Sequence, residues 1–148
     1  MSIIAVPEKI DAKAVKAKVT DWIARLKKLY SNLDDWVQDY PNAAVTRGAI
    51  KQPIEYLMKQ FHVAPRNIPT YTVTVDEKWR VRFIPRALWT VGANGQIDIL
   101  TNIRPHTLAD LGGQNGSPSD WQLVVADARK FLIPFDQTAF THLLKERR

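Results

Sequence analysis

The 148 residues are the size of one domain, and with no cysteine among them the chain offers no disulfide, thiolate metal site or thiol nucleophile. Hydrophobic residues make up 45% and charged residues 24%, which excludes chain-wide disorder, and no window approaches the roughly 18 uncharged apolar residues of a membrane-spanning helix. The net charge of +6, from 21 Lys and Arg against 15 Asp and Glu, is thinly spread, so it permits an anionic partner without marking a dense nucleic-acid stripe.

The run Ile3-Ile4-Ala5-Val6 is too short for a secretory signal and meets Pro7 and charges, so a cytoplasmic protein is expected. A long helix is predicted over residues 11–39. Asp11 suits an N-cap, whose carboxylate accepts from free first-turn amides, and Pro41 disfavours helical geometry at Tyr40. Val15, Val19, Trp22, Leu26, Leu29, Leu33 and Trp36 form an a/d seam along it, widened by Ile23, Tyr30 and Val37. Lys13, Lys16, Arg25, Lys27, Lys28, Asp34 and Asp35 make the opposite, solvated face. Such a helix is about 42 Å long, whereas a typical strand spans about 17–20 Å. The seam is therefore expected to overhang its sheet and to need a partner, either a second copy in a homodimer or a helical protein.

Residues 41–48 read as a turn, and a second helix is predicted over 50–62, with Pro53 in its first turn and Ile54, Leu57, Met58 and Phe61 on one face. Pro65 to Pro69 is a stiff link into a β region over 70–134. There the period becomes two: Tyr71, Val73 and Val75 alternate with threonines, and Trp79, Val81 and Phe83 alternate with Arg80 and Arg82. Glu77-Lys78 is the expected turn of this antiparallel hairpin. Pro85 marks an edge or bulge, the strand resumes over Ala87 to Val91, and Gly92-Ala93-Asn94-Gly95 turns it back towards Ile97 and Ile99. Residues 102–120 are expected to form a long loop with a helical turn around 107–111. Short strands follow at 121–126 and 130–134. Asp136 caps a closing helix over 136–146, with Phe140, Leu143 and Leu144 inward and a basic end at Lys145, Arg147 and Arg148. The fold class is α+β: a long helix, a short helix, an antiparallel meander of four or five strands and a C-terminal helix, in one domain.

Catalytic chemistry finds little support. His106 and Asp110 stand four apart, which on a helix lets the carboxylate orient the imidazole, but two ligand-type residues fall short of a zinc site. Asp98 with Asp127-Ala128-Arg129 lacks the lysine that a nuclease set needs. Ser117 and Ser119 lie in a Gly/Pro-rich loop, not at a strand–turn–helix elbow. No metal or cofactor is expected. Lys78, Arg80 and Arg82 share one strand face, and a mild basic excess surrounds Arg47 and Lys51, with four basic groups against one acid over 42–69. Trp79 and Phe83 point away from those arginines, which weakens a base-stacking role. The expectation is a non-enzymatic binding module that self-associates or meets a partner through its long helix. The alternatives are a nucleic-acid-binding protein using the basic hairpin, and a small enzyme centred on His106 and Asp110.

Overall fold

The computed structural model describes residues 10–114, 117–125 and 131–146. It is α+β. Helix α1 (Ala12–Val37) is followed by strand β1 (Ala43–Lys51), the one-turn helix α2 (Tyr56–Gln60) and strands β2 (Asn67–Val75) and β3 (Trp79–Ala87). Strands β4 (Gln96–Thr101), β5 (Pro105–Asp110), β6 (Trp121–Val125) and β7 (Phe131–Pro134) lead into helix α3 (Gln137–Lys145). All seven strands pair in chain order, each antiparallel to the next. Among the described residues no helix is long and apolar enough to cross a membrane.

The caps sit where the sequence places them. Asp11 accepts from the Ala14 amide at 2.8 Å, and Asp136 from the Ala139 amide at 2.9 Å. The expected hairpin is present, with Tyr71 opposite Phe83 and Val75 opposite Trp79. Its turn is centred one residue earlier than expected: Asp76 and Glu77 both have positive φ, and the Lys78 amide bonds the Val75 carbonyl. The strand alternation buries Tyr71, Val73, Val75, Trp79, Val81 and Phe83, along with Ile97, Ile99, Leu108 and Leu123, on the side that carries the helices. The α1 stripe closes this core. Tyr30 stacks on Tyr71 with ring centroids 5.2 Å apart, Trp22 meets Trp121, and Trp36 packs edge-on to Phe135.

The stripe therefore meets its own sheet rather than another chain. Val15, Val19, Trp22, Leu26, Leu29 and Leu33 are all buried within the chain, and Trp36 is half-buried against the same core. The overhang is smaller than anticipated because the sheet has seven strands, not four or five. At about 4.8 Å per strand it is roughly 29 Å wide, and its nine-residue strands run to roughly 30 Å, against about 39 Å for a 26-residue helix. The first turns of the helix rest on a second cluster, in which Val15 joins Met58 and Val63 beside α2.

Three other expectations are corrected. Residues 43–51 form an edge strand rather than a turn, which shortens the predicted 50–62 helix to the five residues of α2. Part of the expected 102–120 loop is β5, so no helical turn exists at 107–111. The turn after β3 is centred on Val91-Gly92, where Thr90 bridges to Ala93, and Gly95 instead runs beside Asp110 beneath Trp22. A Cβ on Gly95 would lie 2.2 Å from Cζ3 of the Trp22 ring, and φ there is +149°. Gly95→Ala is expected to cost about 2–3 kcal/mol through overpacking and backbone strain. A thermal melt checks this, and an unchanged midpoint contradicts the close approach.

Candidate functional site

Two regions of the surface carry chemistry. The first is the far face of the sheet, which neither α1 nor α3 covers. Arg80 and Arg82 project from it between buried Trp79, Val81 and Phe83. Directly opposite residues share a face. Arg82 therefore stands beside Thr72 and Leu100, and Arg80 beside Thr74, with Thr46 next to Thr72 on the edge strand. Short hydroxyl side chains on two neighbouring strands leave both guanidinium groups standing clear. Neither has an ion-pair partner among the described residues, whereas Arg86 on the same strand pairs with Asp98 at 3.3 Å. Lys78 is exposed at the hairpin end of this strip.

Arg47 does not join this strip. It lies opposite Tyr71 on the helix-facing side, its guanidinium 5.3 Å from the Tyr71 ring centroid, and it bonds Asp34 of α1. Its charge is thus occupied in tying the edge strand to the helix. Lys51 is exposed at the end of β1, opposite Asn67 and apart from the Arg80–Arg82 strip.

The second region is a cleft of about 460 Å³ between α1 and the 88–94 loop. Its floor rests on Arg25, which sequence reasoning assigns to the solvated face of the helix. The Arg25 side chain is only 10% exposed. It bonds Asp21 at 2.8 Å, the Asn94 carbonyl at 2.9 Å and Asp110 at 2.7 Å, and its guanidinium lies 5.0 Å from the Trp22 ring centroid. Asp110 is fully buried, and its other oxygen accepts from the Gly112 and Asp120 amides. A buried carboxylate with an arginine and two amide donors is well compensated. The cluster pins the end of β5, Gly112, Asp120 and Asn94 to α1. The only sequence signal for it is the position of Arg25, three residues after Trp22 at the margin of the apolar stripe.

Glu55 holds the other side of the cleft. Its two oxygens accept from the Leu88 and Trp89 amides, each at 2.9 Å, instead of capping α2. Burial pushes its carboxyl above the ordinary value, and the two amide bonds pull back against that shift. A carboxyl raised by folding stabilises the fold fully below its unfolded pKa, and that contribution is lost as pH rises through the folded value. The parent should therefore gain stability relative to Glu55→Gln as pH is lowered from about 7 towards about 4. Urea titrations of both proteins across that range test the sign, and a constant difference contradicts it.

Catalytic geometry is sparse. On a strand His106 and Asp110 stand about 13 Å apart, not one helical turn. His106 shares a 2.9 Å hydrogen bond with Glu146 at the end of α3, and Arg104 reaches the same carboxylate at 3.3 Å. Asp98 faces Arg86, while Asp127 and Arg129 lie outside the described residues, as do Arg147 and Arg148. Among the described residues no three His, Asp or Glu stand together as metal ligands. Burial pushes the Tyr30 and Tyr71 hydroxyls well above their ordinary pKa, with Asp34 adding to the shift at Tyr71, so neither titrates near neutrality. No protein-family model, curated protein or solved structure matches this chain.

Proposed function

We propose that the protein is a non-enzymatic binding module that presents the bare face of its sheet to an acidic protein surface. The observation that carries this is the pair Arg80 and Arg82, two exposed guanidinium groups without ion-pair partners among the described residues, rising from a floor of Thr46, Thr72 and Thr74. Arginine in that setting forms planar, bidentate bonds with carboxylates. An acidic protein fits better than a single-stranded nucleic acid, because Trp79 and Phe83 are buried on the opposite face and leave no ring beside the arginines for stacking. The long helix does not serve as the docking seam in this proposal, since its apolar stripe is already covered by the sheet.

Arg80→Ala with Arg82→Ala is expected to leave stability within about 0.5 kcal/mol, as surface changes usually do. The double variant should lose the partner that the parent captures from its own cell extract and releases with rising salt. Equal capture by both proteins makes the strip a solubilising face and overturns the proposal. Retention of duplex DNA with a salt slope near −0.9 per phosphate contact, lost in the double variant, replaces the acidic protein with nucleic acid.

A further inference from the structure

From the cleft between α1 and the 88–94 loop we infer that the protein binds a zwitterionic α-amino acid with an apolar or aromatic side chain, independently of the sheet face. Its volume of about 460 Å³ falls in the range of small-molecule sites. One wall is helical, lined by the half-buried Ala14 and the exposed Ala17, Lys18 and Asp21. The facing wall is Leu88, Trp89, Thr90 and Ala93, with the half-buried Trp89 indole also packed against both core clusters. Short side chains on one wall and an indole on the other leave a slot for a flat apolar group.

The cleft is preformed. Glu55 fixes the start of the loop through the Leu88 and Trp89 amides, and Arg25 fixes its end through the Asn94 carbonyl. Ligands bound by preformed walls lose less affinity to ordering. The charges select the ligand. Arg25 bridges two carboxylates, Asp21 and Asp110, and can balance only one, so this group keeps one negative charge. Asp21 is its exposed member, with its side chain 47% exposed. One turn earlier Lys18 supplies a cation with no ion-pair partner among the described residues, and both residues line the cleft. A cation and an anion three residues apart on a helix face the same way. They match a ligand that carries an ammonium and a carboxylate on one carbon, with its side chain running between Ala17 and Trp89.

The test uses L-phenylalanine as probe, titrated into the 148-residue chain and followed by amide and indole NMR shifts. Saturable shifts at Ala14, Ala17, Lys18 and the Trp89 indole are expected. 3-Phenylpropionate and phenethylamine, which each lack one charge, should bind about tenfold more weakly, as expected for a lost charged hydrogen bond. Lys18→Ala should weaken the amino acid about tenfold and leave phenethylamine unaffected. Ala17→Phe, at an exposed helical position, should fill the slot and abolish binding while the melt stays unchanged. Absence of saturable shifts overturns the inference, as does equal binding of either one-charge analogue, or binding indifferent to both substitutions.

Discussion

Replacing Arg25 with alanine is expected to cost on the order of 3–5 kcal/mol, because it leaves a fully buried Asp110 carboxylate without its counterion. Asp21 loses a partner too, but that pair is half solvated and contributes little. For a chain of this size the loss corresponds to a melting temperature lowered by roughly 6–20 °C. Asp110→Asn should cost less, since its remaining carbonyl oxygen can still accept from the Gly112 and Asp120 amides. The double change Arg25→Ala with Asp110→Ala should cost clearly less than the sum of the two single changes, the sign of a coupled pair. Urea denaturation of the set measures all of this. A single-variant cost below about 1 kcal/mol, with additive doubles, shows that the pair is solvated and does not hold Gly112 and Asp120 to the helix.

Leu29→Asp is expected to unfold the chain. Leu29 is 2% exposed in the main core, so the change removes a buried leucine and forces a carboxyl into apolar surroundings. Cavity and desolvation costs together come to on the order of 4–7 kcal/mol, comparable to the whole stability of a domain. The outcome also separates two roles for the α1 stripe. A stripe that joined two chains would yield folded single subunits on this substitution. A stripe that closes one core yields a chain with lost near-ultraviolet dichroism and a collapsed melt, which is the expected result. Folded single subunits in light scattering and dichroism contradict the core placement.

The parts of the fold that announce themselves are those whose pattern and burial coincide. The α1 stripe, the Asp11 and Asp136 caps and the Tyr71–Phe83 hairpin are legible because one periodic face is apolar and buried. Strand β1 is not legible, because it is an edge strand with nearly every residue exposed and so shows no alternation. Strand β5 is hidden for a different reason: among its inward residues only Leu108 is apolar, with His106 and Asp110 on either side. Missing those two strands makes the sheet too small, and a sheet too small makes the helix seem to need another chain. Arg80 and Arg82 follow from strand parity alone. The cleft does not, since Arg25, Asp110, Asn94 and Trp89 are brought together only by tertiary pairing and each looks ordinary in its own segment.

Arginine-specific modification with phenylglyoxal, read by mass spectrometry on the protein alone and saturated with any partner it captures, addresses the proposed docking face most directly. The exposed Arg80 and Arg82 should react freely in the isolated protein and be protected in the complex, with Arg66 beside the helix unchanged. Unaltered reactivity at Arg80 and Arg82, with protection appearing at Arg66 instead, contradicts binding through the bare face of the sheet.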